Sequence, residues 1–264
     1  MLLQDRVAVI YGAGGAVGGA VARAVAREGA TLFLTGRQLA PVEAVAKEIV
    51  AAGGSAEAAQ VDALDEQAVD QHLRSVIDRA GRVDISFNAV GIPDREILGV
   101  PLVELEVERF SLPITAYTRS YFLTARLAAR HMIPRRSGVI MTVTSIPSRT
   151  GTPLQGGYPP AMAAKEALTR DLSAELAPAG IRVVGLRPNG IPETGSLKEA
   201  FEARAKALGV SWEQWQELLA SRAAHTRRGS TLVELADVAV FMASDQASGM
   251  TGTTVNLTMG SLDD

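Results

Sequence analysis

The sequence predicts a doubly wound α/β domain: a parallel, seven-stranded sheet with helices on both faces. Three observations predict it. Short runs rich in Val, Ile, Leu and Thr alternate with longer segments of helical spacing along the chain. That alternation builds βαβ units, whose right-handed crossovers make neighbouring strands parallel. The first strand-like run ends in a cluster of glycines that leads directly into a helical stretch. The 264 residues are 47% hydrophobic, with no linker, low-complexity tract or shift of composition, which suits one large core.

The elements follow in order. RVAVIY (6–11) is a short apolar strand, and Val17, Val21 and Val25 set the helical spacing after it. TLFLTG (31–36) is the second strand, and the helix over 41–52 stops at Gly53-Gly54. AEAAQVDA is a weaker third strand, followed by a helix that Asp65 can cap and that runs to Ala80. VDISFNAVG (83–91) is the fourth strand, and a long helical region, interrupted by Pro113, covers 102–133. GVIMTVTS (138–145) and IRVVGLRP (181–188) are the fifth and sixth strands, with a helix over 159–178 between them. Residues 196–225 read as a helical flap, TLVELADVAVFMAS as the last helix and TTVNLT as the closing strand.

Composition excludes several classes of function. The formal net charge is −3, and no basic stripe or Lys/Arg cluster points to nucleic acid or a membrane surface. The absence of cysteine excludes disulfides, thiolate nucleophiles and Cys-ligated metals. His72, His131 and His225 are too scattered for a metal site. The N-terminus enters a strand after one charged pair, and no apolar run reaches spanning length. These features predict a soluble cytoplasmic protein acting on a small molecule.

The glycine stretch YGAGGAVGGAVARAVA carries the first chemical signal. Glycines permit a tight turn and close backbone approach, and the helix N-terminus behind them offers free N–H groups to a phosphate. The Lys-Ser/Thr of a P-loop is missing, and Val17 stands where G-x-G-x-x-G needs its third glycine. The spacing Gly12, Ala16, Gly18 instead resembles the T-G-x-x-x-G-x-G of the short-chain dehydrogenase/reductase family, with Tyr11 for Thr and Ala16 for the middle Gly. The resemblance continues through QVDALDEQAV, DISFNAVGI, GVIMTVTS, LTRDLSAELAPAGIRVVGLRP and ASDQASGMTGTTVNL, in order and at matching intervals over nearly the whole chain.

Membership of that family implies a single dinucleotide-binding Rossmann domain over 1–264 with a substrate lid at about 190–225. It implies cofactor contacts at Gly12, Gly15, Val17 and Gly18 in the glycine turn, and at Asp62 and Ala63 beside the adenine. Asn88 and Gly91 match the Asn and Gly of the family's fourth-strand motif, and Ile191 and Thr194 resemble the residues that hold the carboxamide. The second strand ends in Gly36 and Arg37, where NAD-binding relatives place an acid. A guanidinium there favours a 2′-phosphate, so NADP(H) is the expected cofactor and NAD the lesser one. A solvated surface arginine is the alternative reading. The family resemblance also implies a homodimer or homotetramer built on the helices over 102–133 and 159–178.

Ser145 matches the family's catalytic serine, and Tyr158 follows at the family's usual interval of 13 residues. In the family the tyrosine is a general acid–base beside the substrate carbonyl, the serine orients the substrate oxygen, and a lysine four residues after the tyrosine lowers its pKa. Position 162 is methionine, and Lys165 is read as a surface or interface residue. Tyr117 stands where the family's asparagine is expected, as a substitute acid, a pocket wall or a packed tyrosine. Pro159 and Pro160 predict a helix that begins after Tyr158, with the tyrosine at its cap. Trp212 and Trp215 on the lid fit an apolar pocket wall or a buried stripe. Two functions follow: an NADP(H)-dependent oxidoreductase reducing a ketone, enone or imine, or a cofactor-binding protein on the same scaffold with non-redox or lost carbonyl-reductase activity.

Overall fold

Seven strands form the sheet of the computed structural model. They are β1 (Val7–Tyr11), β2 (Thr31–Gly36), β3 (Ser55–Gln60), β4 (Ile85–Asn88), β5 (Gly138–Val143), β6 (Ile181–Pro188) and β7 (Thr253–Leu257). The helices with bounds among the described residues are α1 (Ala16–Arg27), α2 (Leu39–Ala51), α3 (Glu66–Ala80), α4 (Val107–Met132), α5 (Tyr158–Leu176), α6 (Gly195–Leu208) and α7 (Leu232–Ala243). The structure describes residues 1–92, 98–211, 213, 214, 217 and 224–263, and of 196–201 and 203 the backbone alone. Strand order is β3-β2-β1-β4-β5-β6-β7, and every pairing is parallel.

Alternation along β1 divides the core. Ala8 and Ile10 face the layer of α1, α2 and α7, where Val21, Val25, Val42, Leu235 and Ala239 pack. Val7, Val9 and Tyr11 face the layer of α3, α4 and α5, with Leu73, Tyr121, Leu127 and Leu172. A sheet buried on both faces needs apolar residues at consecutive positions, which is why β1 and β4 are buried throughout. β3, at the sheet edge, is only partly covered, and it ends at Gln60, before Asp62 and Ala63.

Local chemistry sets the element ends. Asp65 caps α3 by accepting from Gln67 N and Ala68 N at 2.9 and 3.1 Å, and Gly81 (φ 73°) closes the same helix. Thr231 and Glu234 form a reciprocal capping box on α7. α4 runs through Pro113 without a break and begins at Val107, later than the sequence suggests. α6 ends at Gly209 (φ 69°), while Trp212 and Trp215 lie outside the described residues. The chain leaves β1 for β2 on one side, and β4 lies on the other. This reversal opens a crevice at the carboxyl ends of β1 and β4.

Candidate active site

The glycine turn lies at that crevice. Gly12 takes φ 76°, and a Cβ there would stand 2.5 Å from Ala89 O. A Cβ on Gly18 would stand 2.3 Å from Gly12 O, so the start of α1 packs directly on the turn. Gly15 is the N-cap of α1 in an extended conformation, with no side-chain cap and no acid in the first turn. The helix therefore presents its first N–H groups and its positive end to the crevice, beside half-buried Val17.

Across the crevice, Asn88 is buried and donates from Nδ2 to Thr124 Oγ1 at 3.1 Å, while its Oδ1 has no hydrogen-bond partner among the described residues. Tyr11, its register partner on β1, is fully buried with a phenol that also has no hydrogen-bond partner among the described residues, and burial pushes its pKa up. Gly91 is exposed, and a Cβ there would meet nothing within 4 Å. An open glycine cradle, an uncapped helix end and an orphaned amide oxygen together fit a dinucleotide. At the end of β2 the Arg37 side chain is exposed, while its carbonyl accepts from Gln60 Nε2 at 2.9 Å. Asp62 is exposed and accepts from Leu64 N at 2.9 Å, beside buried Ala63. Ile191 and Thr194 are both buried, and Thr194 Oγ1 donates to Ile191 O at 2.9 Å.

Ser145 follows β5 in an extended conformation (φ −162°, ψ 160°) and is half-buried. Its hydroxyl has no hydrogen-bond partner among the described residues. Tyr158 is the first residue of α5, not its cap as the sequence predicts. Pro159 and Pro160 fall in the first turn, where missing N–H groups cost nothing, and Tyr158 N donates to Gln155 O at 3.1 Å. Just before it, Gly157 lies against α4, where a Cβ would stand 1.9 Å from Phe110 O. The start of the tyrosine's helix is thus seated on a backbone carbonyl.

The neighbours of Tyr158 are apolar. Met162 is 2% exposed and clusters with Tyr117, Ala161, Ile92, Ile114 and Tyr158. The Tyr117 ring meets the Tyr158 ring edge-on, with centroids 5.7 Å apart, and its hydroxyl accepts from Ile92 N at 3.4 Å. Tyr117 therefore packs as a wall beside Tyr158.

Lys165 is buried, contrary to the surface reading from sequence, at 1% exposure. Its Nζ donates to Val143 O at 2.8 Å and stands 5.7 and 5.8 Å from the ring centroids of Tyr117 and Tyr121. Burial pushes its pKa down to about 7. General exposure of lysine misleads here because this face of α5 is turned towards β5 and α4, where Val143 O and the rings of Tyr117 and Tyr121 surround the amine. Glu166, the next residue, is buried too and forms an ion pair with buried Arg187 of β6, Nε to Oε1 at 2.8 Å. Burial works to raise the Glu166 pKa, but Arg187 and the hydroxyls of Ser148 and Thr144 outweigh it and hold the carboxyl below its usual range. The sequence reading missed this pair. The adjacent charges Lys165-Glu166 within an otherwise apolar helix face were its only trace.

A doubly wound parallel sheet with a glycine turn at its switch point defines a dinucleotide-type α/β protein. Comparison with known proteins narrows the class. Residues 12–261 match the family described as enoyl-(acyl carrier protein) reductase. Sorbitol-6-phosphate 2-dehydrogenase of Klebsiella pneumoniae is 31% identical over 198 residues, 73% of this chain and 74% of that protein. The 3-oxoacyl-(acyl-carrier-protein) reductase FabG of Thermotoga maritima is 29% identical over 260 residues, 98% of this chain and 99% of that protein. Among solved structures, NAD+-bound xylitol dehydrogenase superposes with a TM-score of 0.91 at 25% identity, covering 98% of this chain and 100% of that one. Sorbitol-6-phosphate 2-dehydrogenase SrlD from Erwinia amylovora gives 0.90 at 25% identity, covering 97% and 100%. The chain belongs to the short-chain dehydrogenase/reductase family and is an oxidoreductase of that family. Among the described residues no helix is long and apolar enough to cross a membrane.

Proposed function

We propose that this chain is an NADP(H)-dependent oxidoreductase that reduces a ketone, enone or imine, with Tyr158 as proton donor and Ser145 orienting the substrate. The observation that carries the reading is the Ser145 hydroxyl, half-buried at the carboxyl end of β5 and without a hydrogen-bond partner among the described residues. A polar group in that state is available to a ligand oxygen. The cofactor, when bound, supplies the hydride. Gly12, Gly15, Val17 and Gly18 with the start of α1 hold its pyrophosphate, and Arg37 holds the 2′-phosphate. Asp62 and Ala63 border the adenine, Asn88 and Gly91 the adjoining ribose, and Ile191 and Thr194 the carboxamide. These assignments form one domain with a lid over about 190–225. Exposed Val107, Leu112 and Phe122 on α4 support a homo-oligomer.

Tyr158 acts as an acid in this reading. A phenol with an ordinary pKa near 10 is protonated at neutral pH and can donate to a developing alkoxide or amide anion. Met162 brings no positive charge to lower that value, so donation is retained and proton abstraction is weak.

Met162 also favours the second reading, a cofactor-binding protein with non-redox or lost carbonyl-reductase activity. It closes an apolar cluster where the family has a lysine. Two measurements separate the readings. Fluorescence titration with NADPH and NADH tests the cofactor, and binding of neither refutes it. A panel of ketones, enones and imines is then run with the wild type and with Met162→Lys. Turnover by the wild type supports the reductase. An inert wild type with an active variant supports the second reading.

A further inference from the structure

The carboxylate of Glu166 touches the segment around Ser145 on both sides. Its Oε1 accepts from Thr144 Oγ1 at 3.0 Å and from Ser148 Oγ at 2.6 Å. Thr144 precedes the serine and Ser148 lies one tight turn beyond it, with Ser148 N donating to Ser145 O at 3.0 Å. The same Oε1 accepts from Arg187 Nε at 2.8 Å, and Oε2 accepts from Arg187 Nη2 at 2.8 Å. Glu166 and Arg187 are each 3% exposed. Three elements meet there: α5, which begins with Tyr158; the loop that carries Ser145; and the end of β6, which leads to Ile191 and Thr194.

A buried ion pair is a poor way to gain stability, because desolvating two charges offsets most of their attraction. Its donors and acceptors, however, are directional. Each is met here by a partner on a different element, so the pair fixes relative position rather than adding cohesion. The loop has two other anchors. Thr144 N and Oγ1 donate to Leu186 O at 2.7 and 3.4 Å, and the short turn at 146–148 is closed by Ser148 N on Ser145 O and Arg149 N on Ile146 O. The Ser145 hydroxyl itself makes no hydrogen bond among the described residues.

We propose that Glu166 is a positioning residue for Ser145: its carboxylate pins the loop on both flanks of the serine, and Arg187 fixes the carboxylate. The inference rests on the reading of Ser145 as the substrate-orienting group. Neither Glu166 nor Arg187 touches substrate. They set where the serine hydroxyl stands relative to Tyr158.

The chain has no cysteine, so Ser145→Cys installs a single thiol at the position in question. Its reaction with a small maleimide is followed across pH to extract the rate constant of the thiolate, with the thermal midpoint measured alongside. Adding Ser148→Ala or Thr144→Val leaves the ion pair in place and releases one flank of the loop. We expect the thiolate rate constant to rise roughly tenfold, equivalent to about 1.4 kcal/mol of lost preference for the held loop. Ser148→Thr, which keeps the hydroxyl, should return it to the parent value. Glu166→Gln should give the largest rise if it folds, but the two hydroxyl variants decide the matter without it. A rate constant unchanged in both Ser148→Ala and Thr144→Val overturns the proposal, and so does a rise that Ser148→Thr fails to reverse. With Ser145 intact, Ser148→Ala should lower kcat on any ketone, enone or imine the wild type reduces, and leave the NADPH Kd unchanged. If the wild type reduces none of them, the functional reading fails while the thiol measurement still judges the latch.

Discussion

Lys165→Met should change how stability depends on pH. The wild-type amine is fully buried, pairs with no carboxylate among the described residues and has a pKa pushed from 10.5 to about 7 by burial. Between those values the unfolded chain binds the lysine proton and the folded chain does not, so stability rises with pH across that window. Below pH 7 both states are protonated and the penalty is at its full size. A gap of about 3.5 units at about 1.36 kcal/mol each makes that penalty roughly 5 kcal/mol. Methionine keeps the length and removes the charge. It also loses the hydrogen bond to Val143 O, which costs about 1–3 kcal/mol. The variant should therefore be more stable than wild type by about 2–4 kcal/mol at pH 7, with the advantage gone between about pH 8.5 and pH 10. Urea unfolding of both proteins from pH 6.5 to 9.5 measures this directly. Groups common to both proteins cancel in the difference between the two curves. His72, lowered to about 4 by burial and by Arg79, titrates below the window, and the buried phenols of Tyr11 and Tyr121 are pushed above it. Parallel stability curves for the two proteins would refute a buried, proton-releasing Lys165.

Gly157→Ala places a methyl group on Phe110 O, and relief requires moving the start of α5 off α4. We expect a loss of about 2–3 kcal/mol, visible as a thermal midpoint lower by several degrees, and an unchanged midpoint counts against this seat. Arg37→Ala should weaken NADPH binding roughly tenfold and leave NADH binding unchanged, since only the former has a 2′-phosphate to lose. Equal losses for both cofactors would show that Arg37 does not read that group. Alcohol oxidation, which needs Tyr158 as a base, should rise about tenfold per pH unit from pH 7 to 9, because no lysine lowers its pKa. A flat profile over that range refutes a tyrosine that has lost the lysine's help.

Strand and helix order was legible because each side of the sheet imposes its own pattern. Apolar runs such as AVIY mark strands buried on both faces, and Asp65 and Gly81 bracket α3 by capping chemistry that acts within a few residues. The glycine turn was legible for the same local reason: Gly12 and Gly18 sit where a Cβ would overlap backbone. Contacts between distant segments left no such mark. The proline rule placed Tyr158 at the cap, yet the seat of Gly157 on Phe110 O and the turn from Gln155 bring the tyrosine into the helix. Lys165 looks like a surface residue by type, because nothing near it in sequence tells that β5 will offer Val143 O to its amine. Glu166 has its partner 21 residues away on β6 and its loop contacts 18 and 22 residues back, distances at which no periodicity operates.

These three residues of α5 divide the roles that one lysine would combine. Met162 lies one helical turn beyond Tyr158 and gives it an apolar neighbour. Lys165 lies about 10 Å along the axis from Tyr158, and its amine faces the Tyr117 and Tyr121 rings. Its hydrogen bond to Val143 O ties α5 to β5. Glu166 ties α5 to β6 and to the Ser145 loop instead, its Oε1 accepting three hydrogen bonds and its Oε2 one. In the proposed function Ser145 and Tyr158 face the substrate, with the buried polar groups of α5 behind them. In that reading the site can orient an oxygen and give up a proton, while Met162 brings no charge that would help Tyr158 take one back at neutral pH. That asymmetry is what the reading assigns to methionine at position 162, with the fold and the cofactor crevice kept.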